Sequence, residues 1–397
     1  MLKRKEILSV LSLAAWSLSI FGYFFQFPFA FFSKLITPCL IIYLLLQIKE
    51  IKLLKNKPYL ILLTAFFFFL LFSVIRSFAL GTEFSRILRF ALILFCIPLS
   101  CTITDGAFTF NKEVFLRLAV IKSSMLLFFG ALIMIVGDFE TVRDWLHLNG
   151  FSGDIYFLNR LIPKVQVQGN ALLVVAFILD CLNDRRITAR KIILLLGILV
   201  AGNFAFILAL IAFIAWQGGK VALHLMKTNK FARILIPIAL IILANIFGIY
   251  ILSKIEEKAA LSNAVRLIQA RVLLDANPYI GDGLGTVVKY TSELVSYDGD
   301  TYFEMQTLYI FKQIGAIGLG LFYAVTLKPI WALGKAQFIF YLIYLFFSFW
   351  NPYCFDATQI ITILLITNAL KGEKNDKSSY YSLPPCSFGK RKYTKNI

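Results

Sequence analysis

Arginine carries a planar fork of donors that matches phosphate oxygens, and this chain places arginines in its few polar stretches. Arg86 and Arg89 stand at the mouth of an apolar run, Arg160 lies in one long polar segment, and Arg266 and Arg271 lie in another. Lys164 and Arg143 accompany them, Arg143 beside Asp144, where a local ion pair is expected. Each cation also has a plainer use, reaching lipid headgroups or pairing with a nearby acid. Arg266 and Arg271 are five residues apart, about 140° around a helix. Only one of them can aim straight at a small ligand.

The elements that must position these residues are apolar. The chain is 59% apolar and 16% charged, against about 45–50% and 25% in soluble domains, and its 40 phenylalanines exclude a disordered chain. A membrane-spanning helix needs about 20 mostly apolar residues. Spans are predicted near 7–25, 27–48, 58–80, 88–104, 116–137, 169–183, 187–202, 203–219, 234–253, 305–327, 336–350 and 358–370. The stretch Ile192–Trp216 reads as two helices turning at Gly202-Asn203, because two crossings put every basic loop on one face, as the positive-inside rule prefers. The expected fold is therefore all-α, a polytopic integral membrane protein of about twelve transmembrane helices over 1–370, with both termini cytoplasmic. Residues 371–397 read as a polar, disordered cytoplasmic tail that at most touches anionic lipid. The net charge of +18 is then a topological signal, and no nucleic-acid partner is expected.

Two extracytoplasmic segments are enlarged, 137–168 and 254–304. The second carries an amphipathic helix, Ala260–Ala276, with Val265, Ile268, Val272 and Leu273 at helical spacing, followed by the turn Asn277–Gly285, NPYIGDGLG. That turn is no dinucleotide fingerprint, since no βαβ unit surrounds it. Asp298-Gly299-Asp300 has the D-x-D spacing of metal-dependent sugar-nucleotide transferases, but outside the cytoplasm a solvated turn is the better reading. His147 and His224 are the only histidines, and none of the six cysteines forms a C-x-x-C pair. Neither a metal site nor a disulfide framework is expected, and the lack of a Walker lysine motif speaks against ATP hydrolysis. No cofactor is anticipated.

From Arg266 onward the sequence resembles the O-antigen polymerase and ligase superfamily, the Wzy-type polymerases of bacterial surface polysaccharides. The shared pattern is an Arg, a helix, N-P, spaced glycines, a polar stretch and a spanning helix with G-x-x-G near its middle. Here it reads Arg266, Asn277-Pro278, Gly281, Gly283 and Gly285, then Gly315 and Gly318. Arg160 ahead of Gly169-Asn170 is similar to the family's first large loop, and Trp350–Gln359 (WNPYCFDATQ) looks like its last outer turn. The likeness covers roughly 155–330 and implies a GT-C-like fold in the bacterial inner membrane. Two features depart from it. Ala201-Gly202-Asn203-Phe204 stands where many members have Ser-Arg-Gly, and Glu304 stands where ligases carry a histidine eleven residues before Gly315.

The reaction this resemblance implies is glycosyl transfer from undecaprenyl diphosphate to a lipid-linked repeat unit on the periplasmic face. It also admits a polysaccharide chain-length regulator as a partner, and membrane lipids surround the protein. Negative charge on the departing diphosphate needs fixed cations, for which Arg160 and Arg266 are the leading candidates and Arg271, Arg86 and Arg89 the next. The attacking hydroxyl needs a base. Glu304 suits that role where the chain re-enters the membrane, a poorly hydrated place that strengthens a carboxylate base. Asp356 is a weaker candidate acid. Gly281, Gly283 and Gly285 would let backbone approach sugar or phosphate closely. Lys312, about 12 Å inward of Glu304, is a buried lysine in a span, either functional or matched by a local polar partner.

Two other readings compete. A ligase joining polymer to lipid core belongs to the same class. A transporter or flippase for the same lipid-linked unit belongs to another, but transporters favour inverted repeats and polar midplane residues. This chain shows no internal repeat and only Lys34, Lys122 and Lys312 deep in spans.

Overall fold

A computed structural model describes residues 2–47, 57–103, 112–136, 139–148, 153–158, 162–184, 186–229, 231–235, 237–238, 245, 264–300, 303–349 and 351–370. Arg160 and the tail 371–397 lie outside the described residues. The chain is mostly helical. Its helices are α1 (Leu2–Phe25), α2 (Ser33–Gln47, preceded by a 3-10 turn Ala30–Phe32), α3 (Lys57–Ala79), α4 (Phe84–Thr102), α5 (Lys112–Val136) and α6 (Phe139–Leu148). They continue as α7 (Ala171–Asn183), α8 (Ala189–Ala201), α9 (Phe204–Thr228), α10 (Ala264–Leu274), α11 (Gln306–Leu333), α12 (Lys335–Phe349) and α13 (Ala357–Ala369).

Seven helices among the described residues, α1 to α5, α9 and α11, are long and apolar enough to cross a membrane, while α7, α12 and α13 are shorter apolar helices. The long helices turn apolar side chains outward, with Phe68 68%, Phe128 67% and Ile135 82% exposed. Two of the short ones are enclosed: Ala171–Ala176 on α7 and Thr358–Thr367 on α13 are buried all round. A helix apolar on every side belongs inside. At 13 residues each, α7 and α13 are about 20 Å long, so protein rather than lipid surrounds them.

The expected turn at Gly202-Asn203 is a helix break. Gly202 caps α8 at φ 68°, and the Asn203 side chain accepts from the Ala205 N–H to start α9. The amphipathic helix of the second large loop is α10, which ends at Leu274, two residues before its pattern does. A purely helical reading misses two antiparallel hairpins, β1 (Gly153–Leu158) with β2 (Ile162–Val167), and β3 (Val288–Thr291) with β4 (Ser296–Asp300). Asp298-Gly299-Asp300, expected as a turn, lies in β4. The first hairpin is tied to the bundle: Ile155 and Val165 are buried, β2 packs on α5 and α8, and the buried Lys122 of α5 donates to the Gln168 carbonyl at 3.1 Å.

Candidate functional site

The loop after α10 is threaded into a break in α11. Gly315 has φ 64° and ψ −173°, which no helix accommodates. The backbone groups freed there are taken by the loop. Asp282 N–H donates to the Lys312 carbonyl (2.7 Å) and Gly283 N–H to the Gln313 carbonyl (3.0 Å). In return Ala316 and Ile317 donate to the carbonyls of Pro278 (2.8 Å) and Tyr279 (3.1 Å). In an apolar bundle such groups need partners, and this exchange supplies them. A Cβ on Gly281 would stand 2.3 Å from the Gln313 carbonyl, and one on Gly315 would stand 2.3 Å from the Tyr279 oxygen. Asn277 Oδ1 accepts from the Tyr279 and Ile280 N–H groups, and Arg76 of α3 donates to the carbonyls of Ile280 and Gly281.

This corrects the expectation that Gly281, Gly283 and Gly285 face a ligand. All three are buried, and their open faces meet Gln313, Ser77 and Arg86 respectively. Glycine is needed because two stretches of protein backbone approach each other. Lys312 also has its local partner, with Nζ 3.0 Å from Asp282 Oδ2.

The threading gathers most of the remaining candidates around the first turns of α11. Arg266 Nε pairs with Glu304 Oε2 at 2.9 Å, with side chains 36% and 56% exposed. Glu304 is therefore an exposed carboxylate held by a cation. Gln269 of α10 accepts from the Met305 N–H (3.2 Å) and donates to the Tyr297 hydroxyl (3.3 Å). An aromatic chain leads on from there, Tyr297 to Phe303 (5.3 Å), Phe303 to Tyr309 (4.9 Å) and Tyr309 to Phe90 of α4 (5.4 Å). Arg86 and Arg89 stand on that same end of α4. Arg86 packs on Gly285 and pairs with Glu83 at 3.0 Å.

Two cavities open here. The larger, about 1360 Å³, is an open cleft lined by α10, β3 and α11, with Arg271, Asp275, Asp282, Lys289 and Lys312 as its charged groups. The smaller, about 300 Å³, lies between α2, α4, the start of α11 and the turn before α13. Arg89, Gln306, Phe355 and Asp356 line it beside Leu40, Ile41, Leu92 and Ile93. An apolar pocket with a few convergent polar groups is the usual form of a small-molecule site. Asp356 caps α13, accepting from the Thr358 N–H (2.9 Å), the Gln359 N–H (3.3 Å) and the Thr358 hydroxyl (2.8 Å). Burial nevertheless pushes its carboxyl up to about 7, against the pull of those hydrogen bonds.

The candidates thus occupy three settings: the Arg266–Glu304 pair, the cleft with Arg271, and the pocket with Arg89 and Asp356. Arg86 sits beside the pocket, bound to Glu83. Gln306, Arg76 and Gln313 belong to this region, and sequence reasoning misses them. Arg76 has a signal, a charge inside the apolar run 58–80, whereas the glutamines have none. No family model matches the chain, and neither the curated proteins nor the solved structures give a match.

Proposed function

We propose that this protein is a polysaccharide polymerase of the O-antigen type, a metal-independent glycosyltransferase of the bacterial inner membrane. It moves a growing glycan from undecaprenyl diphosphate to a lipid-linked repeat unit at the periplasmic face. The observation that carries this reading is the threading of 277–285 into α11. It draws Arg266, Glu304, Arg86, Arg89 and Asp356, which are scattered over the sequence, to one end of a bundle whose long helices face outward with apolar side chains. Such an arrangement offers cations for a leaving diphosphate and carboxylates for a nucleophilic hydroxyl, next to the phase in which a lipid carrier dissolves. Both termini then face the cytoplasm, and this end of the bundle faces outward.

Deleting the protein from its host is the test. Core capped by single repeat units, with long polymer restored by the wild-type protein, is the expected result. Bare core together with lipid-linked polymer would make the protein a ligase, and lipid flipping by purified protein in vesicles without polymer growth would make it a transporter. In the same strain Arg266→Ala and Arg160→Ala should abolish long polymer, and full ladders from both would remove these arginines from the mechanism.

A further inference from the structure

Glu304 and Arg266 hold each other, so neither is available for a separate task until their pair opens. The small pocket differs in this respect. Arg89 makes no hydrogen bond or ion pair among the described residues, and its guanidinium lies 5.7 Å from the Phe90 ring in a cation–π contact. Gln306 is 7% exposed, yet its Oε1 has no hydrogen-bond partner among the described residues. A buried amide oxygen left unmatched is costly, and of the seven such side-chain atoms among the described residues this is the one whose residue lines the pocket. Beside it, Phe355 is held at φ 58°, the one non-glycine residue with positive φ among those described. A bulky aromatic residue there is strained, and such outliers concentrate at functional sites. Its N–H is fixed by Gln359 Oε1 at 2.8 Å, and the Gln359 N–H in turn donates to Asp356, so the turn carrying Asp356 is held in place from both sides.

We infer that this pocket is the acceptor site of the transfer, with Asp356 as the general base, Gln306 as the group that accepts a hydrogen bond from the acceptor sugar, and Arg89 as the cation facing the departing diphosphate. The assignment rests on the glycosyl-transfer reading above, replaces Glu304 by Asp356 as the base within it, and adds Arg89 to the arginines that meet the diphosphate. The acceptor hydroxyl oxygen attacks the anomeric carbon of the donor sugar and a new C–O bond forms. The bond from that carbon to the diphosphate oxygen breaks, its electron pair leaves with the diphosphate, and the hydroxyl proton passes to the Asp356 carboxylate. No oxidant, nucleotide or further reactant is required.

The charged and titratable groups around Asp356 are Arg89 and Cys96 from α4, Tyr23 from α1 (hydrogen-bonded to Thr358 at 3.0 Å), Tyr344 from α12 and Cys354 from its own turn. The lining residues Thr37 of α2 and Gln306 of α11 do not titrate. A base of this kind works deprotonated, so the transfer rate should rise with pH through about 7.

Asparagine caps a helix as well as aspartate does, which makes Asp356→Asn the discriminating substitution. A capping role alone leaves the variant like wild type, whereas a base is lost. In a deletion strain complemented with each variant at matched membrane levels, Asp356→Asn should reduce long polymer about 100-fold or more. Asp356→Ser, which also caps, should show the same loss and stands in if the Asn variant accumulates poorly. With purified protein and the lipid-linked repeat unit extracted from the deletion strain, Gln306→Leu should raise the acceptor KM with kcat little changed. A full ladder from Asp356→Asn, or an unchanged KM in Gln306→Leu, overturns the assignment and leaves the transfer reading standing. A deletion strain that still makes long polymer removes the transfer reading itself.

Discussion

Around Gly315 the loop 277–285 and the broken helix α11 pair their backbone polar groups with each other, while at Gln306, earlier on the same helix, an amide oxygen in a pocket stays unmatched among the described residues. Both regions look polar and loop-rich in the sequence. They differ in what fills the space. In the first region glycines let two stretches of backbone meet, and in the second Arg89, Gln306 and Asp356 line a void of about 300 Å³. Gln313 Nε2 in the first region is also unmatched among the described residues, so what sets the second apart is that its polar residues line a void.

Substitutions can break that contrast. The largest effect on stability is expected for Gly315→Ala, whose new Cβ would meet the Tyr279 oxygen at 2.3 Å with φ at +64°. Overpacking and backbone strain together should cost about 3–5 kcal/mol, read as loss of thermal stability in detergent, and a variant that melts like wild type would show the threading to be wrong. Next comes Asp282→Ala, which takes the counter-charge from Lys312, 10% exposed, and leaves it the Asp275 carbonyl. A loss of about 2 kcal/mol is expected, and Lys312→Met in the same background should recover part of it. If the aspartate contributes nothing, the pair is not formed.

On the pocket side, Asp356→Ala should cost about 1 kcal/mol through the lost cap, and Asp356→Asn only a few tenths. The sign of the pH effect follows from burial. The Asp356 carboxyl is raised in the folded protein, so below the ordinary carboxyl range it is protonated in both states and carries no penalty. Between about 4 and about 7 the unfolded chain has lost the proton that the folded chain retains, and wild type should lose stability relative to Asp356→Asn as pH rises through that window. A difference that stays constant with pH would contradict the burial of this group. The smallest effect is expected for Arg266→Ala, since its pair with Glu304 is exposed and should contribute less than about 1 kcal/mol to unfolding.

The sequence carries some of this plainly. Loop charge and Gly202 place the break between α8 and α9, 3.6-residue spacing places α10, and an acidic residue ahead of an apolar run is an ordinary helix-start signal that Asp356 fulfils. The hairpins escape because GDIYFL and IPKVQV are short and offer only brief alternation. The glycines of NPYIGDGLG look ligand-facing in the sequence because a glycine's freedom is the same whether ligand or backbone takes its open side. That choice is made by α3, α4 and α11, distant in the chain. Gln306 leaves no trace at all, since its importance comes from a missing partner rather than from its identity.

The most direct measurement is the pH–rate profile of chain extension by purified protein in lipid vesicles, using wild type and Asp356→Asn with lipid-linked repeat units. Wild-type extension that climbs through about pH 7, and an asparagine variant at least about 100-fold slower across the range, are the expected results. A variant that extends chains at the wild-type rate with the same profile would contradict the pocket as the reacting centre.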